Sequence, residues 1–320
     1  MTNQPAHDGL TPSAAIDRIE AAVPPRAQDR RLHARGAVYD ARFVPSGEIT
    51  DRTIATHLRN EGPAVVRFSN GGNFDADDRA AGVRGMAVKF LTDGNAVADL
   101  AAANTATFPA RTPEGFVALI ELLSKLQGGP LDRLQAVPKL ASILVKHPEI
   151  LRTLLAKKAK PPASFATTRY NGLNAFVLVD ADGQRQAFRY RLLPELGEKP
   201  LDEEQARTLP RDFLIAELDQ RLTQAPVSFA LKFQFAEPGD STTDPTIAWP
   251  EERKLLRAGQ IVITSRSSNE EHWQQEVFDP THVAAGVELS DDPILAFRTR
   301  AYAVSAQRRQ RQTETVPETP

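Results

Sequence analysis

Strand-like and helical periods are segregated along this chain, and that segregation limits the fold more than any single residue does. Strand-type segments run over RRLHARGAVYDARFV (30–44), PAVVRFSN (63–70) and GVRGMAVKFLT (82–92), with loop-like GGNFDADDRAA before the third. Helical spacing then takes over. PEGFVALIELLSKL (113–126) sets Phe116, Leu119, Ile120 and Leu123 on one face. Residues 131–159 continue the helical material, interrupted by Pro138 and Pro148. Strands return as a hairpin around the DADG turn (174–193), as VSFALKFQFA (227–236) and as AGQIVITSR (258–266). Between them, PRDFLIAELDQRLTQA (210–225) reads as a helix with proline at its start. A helical end follows. Strands, helices, strands and a last helix make an α+β chain, not an alternating βαβ one. A short first helix (13–23) has Ser13 as its N-cap and stops at Pro24 and Pro25. Residues 1–12 are expected to be a flexible segment and 311–320 a disordered tail, which leaves 13–310 as the folded domain.

Composition removes several kinds of chemistry. The chain has no cysteine, which excludes disulfides, thiolate nucleophiles, iron–sulfur clusters and zinc ribbons. Any redox chemistry must therefore come from a cofactor. With a hydrophobic fraction of 41% in 320 residues the chain can bury a sizeable core. A net charge of −2 calls for neither nucleic acid nor an anionic membrane as partner. No apolar run is long enough to span a bilayer. The start, MTNQPAHDGLTPS, carries no secretory pattern, so the expected location is the cytoplasm.

Three places hold residues with chemical potential. His33 lies mid-strand in RRLHARG, where a lone histidine is more often satisfied by backbone than catalytic; the other histidines show no metal-ligand spacing. Arg67 and Ser69 in VVRFS are two apart and share one strand face, as an active pair or as a solvent-facing polar row. Arg298 and Tyr302 in ILAFRTRAY are one helical turn apart. A guanidinium in that position favours the ionised phenolate, which can ligate ferric iron, or it simply packs across the ring.

Taken together, the segments resemble the haem catalases, and within them the small catalase-related peroxidases of bacteria. RRLHARG, VVRFS, VRGMAVKFLT, DLAAANTATFPARTPEGF, DPTIAWP and VAAGVELSDDPILAFRTRAY are similar to that family's signature segments and occur in the same order. The resemblance implies an antiparallel β-barrel with surrounding helices and a buried haem b. It implies Tyr302 as the iron ligand, Arg298 as the group keeping it ionised, and His33 as the distal acid–base with Ser69 fixing its ring. Arg30, Arg67 and Arg309 match the propionate-binding arginines, and Phe108 and Phe116 the aromatics beside the distal haem face. The implied reaction is reduction of a peroxide, with a small-molecule electron donor restoring the enzyme. Two departures point away from hydrogen peroxide and toward organic hydroperoxides: Ala103 stands where the family has its distal asparagine, with Asn104 one place later, and Gly82 where it has a channel aspartate. YNGLNAF lacks the histidine that many members turn toward a dinucleotide, so no NADPH is expected. A homodimer is the expected assembly. The alternatives are a true catalase using Asn104, a rearranging enzyme of fatty-acid hydroperoxides, and a haem-binding protein without turnover.

Overall fold

A computed structural model of the chain describes residues 9–26, 29–156 and 159–315, with side chains to Arg311. Its elements in chain order are α1 (Pro12–Ala22), β1 (Gly36–Pro45), α2 (Thr56–Arg59), β2 (Gly62–Asn70), β3 (Arg84–Thr92), β4 (Asn95–Ala103), α3 (Pro113–Gln127), α4 (Pro130–Lys146) and α5 (Glu149–Leu155). After these come β5 (Tyr170–Asn171), β6 (Phe176–Val179), β7 (Arg185–Pro194), α6 (Glu203–Arg207), α7 (Phe213–Leu222), β8 (Val227–Phe235), β9 (Leu255–Arg266), α8 (Glu270–Gln275), β10 (Val287–Leu289) and α9 (Pro293–Thr315). The α+β order read from the sequence is therefore present.

The strands form one sheet in the order β10-β6-β7-β5-β4-β3-β2-β1-β9-β8, and β7 also pairs with β8. That last pairing closes an eight-stranded antiparallel barrel, leaving β6 and β10 as a flap on β7. The interior is aromatic. The Phe68 ring lies 5.1 Å from Phe165, 5.8 Å from Tyr170, 5.9 Å from Tyr39 and 6.0 Å from Phe229. Alternate residues of β1 to β4 face outward instead, where α8 and the segment that follows it cover them.

A buried ion pair ties that cover down. Lys89 on β3 donates to both carboxylate oxygens of Asp99 on β4, at 2.9 and 2.8 Å, and to the carbonyl of Val277 at 3.0 Å. Asp99 also accepts the amide of Asp279, whose carboxylate accepts the hydroxyl of Thr299 on α9 at 3.2 Å. The side chains of Lys89 and Asp99 are 4% and 1% exposed. Burial pushes the Asp99 carboxyl upward against the pull of Lys89, so the carboxylate depends on its partners.

Local expectations fared differently. The hairpin and its turn form as read, with Gly183 at φ +77° in the DADG turn. The first helix starts at Pro12 and is capped by Thr11, not Ser13: the Thr11 hydroxyl accepts the Ala14 amide, and proline suits the first turn. The later helix begins at Phe213, beyond Pro210, with Asp212 as cap. Pro138 does not break α4; it sits on the exposed side, where the carbonyl it leaves unpaired is not sealed in the core. β4 was not expected, since NAVADLAAA is poor strand sequence; pairing along the whole of β3 holds it extended. Of the expected flexible segment 1–12, residues 1–8 lie outside the described residues, whereas the Leu10 amide donates to Glu114 at 3.1 Å. The helix α9 runs to Thr315, into the expected tail, and residues 316–320 lie outside the described residues.

Lys89→Met strands a buried carboxylate and is expected to lower stability by about 3–5 kcal/mol, with the Lys89→Met/Asp99→Leu double variant recovering most of the loss. Urea unfolding compares them; equal losses in both variants would rule the pair out as an anchor.

Candidate active site

The site grows from the alternation of β2. Phe68 fills the barrel, so Arg67 and Ser69 must face outward together. They are not a solvent row: Arg67 is 5% and Ser69 4% exposed, beneath the chain entering β1 and the end of α8. The Ser69 hydroxyl lies 2.9 Å from Nδ1 of His33.

His33 corrects its expected place in mid-strand. The strand β1 begins only at Gly36, and His33 has φ +55°. Left-handed backbone at a residue with a Cβ costs about 1–2 kcal/mol and persists only where its surroundings over-determine it. Here Arg67 donates to the carbonyls of His33 and Ala34 at 3.0 and 3.3 Å. The ring rests against Gly85, where an added Cβ would come within 2.7 Å of the Ser69 hydroxyl and 2.9 Å of Nδ1 of His33. A lone glycine inside a strand signals such a close approach, and VRGMAVKF contained it.

Three arginines converge at the end of α8, two of them, Arg30 and Arg67, acting on this ring. Arg30 donates to the carbonyls of Gln274 and Glu276 at 3.0 and 2.7 Å, and Arg309 to that of Gln275 at 3.3 Å. These carbonyls form the C-terminal end of α8, which attracts cations. The Arg67 Nε donates to the side chain of Gln274 at 3.0 Å. Burial, then the charges of Arg67 and Arg309, holds the Arg30 guanidinium well below its ordinary range. Burial and Arg309 push Arg67 down to about 10. The buried Nε of Arg30 has no hydrogen-bond partner among the described residues. Cations crowded in this way, with backbone carbonyls and an amide for company, fit a group bearing carboxylates.

The helix α9 carries Arg298 and Tyr302. The guanidinium donates twice to the Tyr302 oxygen, at 3.0 and 2.8 Å, and its third nitrogen donates to Oδ1 of Asn174 at 2.9 Å. Asn174 in turn donates to Asp292 at 2.7 Å, and Asp292 accepts the Ile294 amide at 2.8 Å as the cap of α9. Burial opposes the Arg298 charge, yet the field and hydrogen bonds of Tyr302 hold the guanidinium above its ordinary value. Asn174 and Asp292 were not singled out in the sequence, although Asp292–Pro293 is a legible helix start.

The expected residues share one neighbourhood. Arg67, Arg298 and Arg30 all act electrostatically on His33, and Tyr302 acts on Arg30. Phe108 and Phe116 pair with ring centroids 5.1 Å apart at the start of α3. Asn104, by contrast, is committed to backbone: it accepts the Arg84 amide at 2.7 Å and donates to the carbonyl of Gly82 at 3.2 Å. Ala103 pairs with Gly85 and so faces the same side as the imidazole.

A sequence profile described as Catalase matches residues 9–316. A catalase-related peroxidase of Mycolicibacterium paratuberculosis is 40% identical over 306 residues, 94% of this chain and 95% of that protein. A second, from Synechococcus elongatus, is 30% identical over 310 residues, 96% and 91% of the two chains. Among solved structures, a fungal catalase superposes with a TM-score of 0.75 at 22% identity, over 90% of this chain. The chain spans only 59% of that catalase's length.

Burial, helped by Arg67, Arg298, Arg30 and Arg84, pushes the His33 imidazole down to about 3, from 6.5 when unfolded. Between those values the unfolded chain binds more protons, so stability rises with pH and is lost as pH falls through that window. The slope is about 1.4 kcal/mol per pH unit for one such group. The His33 ring is expected to keep its neutral nitrogen NMR shifts from about pH 8 to about pH 5. A titration near its ordinary value would contradict the geometry.

Proposed function

The chain belongs to the catalase family, and on that premise we propose that it is a haem-dependent peroxidase acting on organic hydroperoxides and more weakly on hydrogen peroxide. The observation that carries this reading is the pair of hydrogen bonds from Arg298 to the Tyr302 oxygen. Two charge-assisted hydrogen bonds from one guanidinium fix where that oxygen stands.

Tyr302 would ligate the iron of haem b, Arg30, Arg67 and Arg309 would hold its propionates, and Phe108 and Phe116 would flank it. When bound, haem supplies the electrons that split the peroxide O–O bond, and a small-molecule donor returns them. The protein's own work is proton traffic. His33 is neutral, so it can accept the proton of the inner peroxide oxygen and pass it to the outer one, which then leaves as alcohol or water. Ser69 holds Nδ1 and leaves Nε2 for the proton. Arg67 fixes the backbone that aims the ring.

The peroxide preference follows from the small side of the site. Ala103 offers no donor beside His33, and both ends of the Asn104 amide are engaged elsewhere. A missing oriented donor costs roughly 10²–10³ in rate for a substrate that depends on it. An alkyl hydroperoxide has one proton fewer to position and can use the space left by a methyl group.

His33→Ala is expected to retain haem and lose about 10²–10⁴ in peroxide reactivity, while Tyr302→Phe loses the phenolate-type ferric spectrum. Full activity in the first variant, or an unchanged spectrum in the second, would refute the roles assigned. Ala103→Asn is expected to raise hydrogen peroxide consumption by about 10²-fold relative to cumene hydroperoxide; stopped-flow rates with both peroxides measure that ratio.

A further inference from the structure

The helix α4 packs on α3 and α5 through Ala136 and Ile143, which join a small cluster with Leu119, Leu122 and Ile150. Its opposite side is also apolar. Leu131, Leu134, Pro138, Ala141 and Val145 recur three and four residues apart and are all exposed. Leu131 is 76%, Leu134 70% and Val145 84% exposed, and Leu155 at the end of α5 adds another at 76%. Most surfaces expose single apolar side chains; an aligned series of this kind marks a binding face.

Charge identifies what that face fits. Residues 130–160 carry seven Lys or Arg against two Asp or Glu, a net +5 in a chain whose total is −2. The expectation that no anionic membrane is a partner rested on that total, which averages over the segment. Arg152 stands three residues before Leu155 on α5, Lys146 is the last residue of α4, and both are exposed, so cationic side chains border the apolar face at the α4–α5 junction. A second copy of the chain is the poorer fit, because a two-fold contact would set this basic face against itself. No helix among the described residues is long and apolar enough to cross a bilayer. An apolar face bordered by lysine and arginine, on a helix lying at the molecular surface, has the character of a segment that rests in the headgroup layer.

We propose that the α4–α5 face docks this protein peripherally on anionic lipid bilayers. The apolar side chains enter the acyl boundary while the basic residues meet the lipid phosphates. The proposal is independent of the haem reading, since none of these residues belongs to the active site. The helix α3, which carries Phe116, lies directly beneath the face.

Flotation of the full chain, purified with haem, tests it with vesicles of equal parts phosphatidylglycerol and phosphatidylcholine and with pure phosphatidylcholine vesicles. Partition onto the anionic vesicles is expected to exceed that onto the neutral ones by about tenfold or more at low salt. Leu134→Gln/Val145→Gln and, separately, Lys146→Glu/Arg152→Glu are each expected to reduce it about tenfold. Turnover of a soluble peroxide should not change in either, which confirms that both variants fold. Absent flotation, or flotation insensitive to both variants, overturns the proposal. So does a dimer by light scattering that Leu134→Gln/Val145→Gln dissociates while wild type fails to float, since the face would then be a self-interface.

Discussion

The aromatic filling of the closed barrel is the constraint from which the remaining geometry follows. With Phe68 among Tyr39, Phe165, Tyr170 and Phe229, β2 has only one acceptable register. A slip of one residue would drive Arg67 and Ser69 into that core and expel Phe68. Sealing the barrel therefore also presents a guanidinium and a hydroxyl on its outer wall. The pairing of Ser69 with Gly85, and of Gly85 with Ala103, carries that wall across three strands and leaves a shallow seat for the imidazole.

Electrostatics at this seat work against folding and in favour of chemistry. Arg30, Arg67 and Arg309 are brought together at the end of α8, where burial and neighbouring positive charge, from Arg31 in the case of Arg309, weaken their hold on protons. His33 is kept neutral by burial and by the charges of Arg67, Arg298, Arg30 and Arg84, and its backbone is held in the left-handed region. Such features persist because other parts of the fold over-determine them. Asp292 caps α9 and, through Asn174, fixes Arg298. The ion pair of Lys89 and Asp99 anchors the segment that reaches Thr299 on the same helix. The His33 and Tyr302 groups are thus both referred to β3, β4 and their cover.

Much of this was legible because it depends on local period. The outward pair on β2 follows from a spacing of two, and the Arg298–Tyr302 contact from a spacing of four on a helix. The helix cap at Asp292 was equally readable. His33 was misplaced because RRLHARG has no feature that separates a strand from an extended approach. Its conformation depends on Arg67, 34 positions away. Asn104 could not be judged from its neighbours either, since its engagement with Arg84 and Gly82 requires β3 and β4 to pair.

By itself, the sequence determined the α+β order, the faces of its strands and helices, the exclusion of cysteine chemistry and the residue types the site contains. These follow from periodicity and composition, which are properties of a chain read along its length. Only the tertiary structure decided that the sheet closes, that His33 stands on a left-handed turn against Gly85, that Asn104 is taken by backbone, and that α4 keeps an apolar face uncovered. Each of those rests on contacts between residues far apart in the chain, where packing and desolvation, not local preference, choose the outcome.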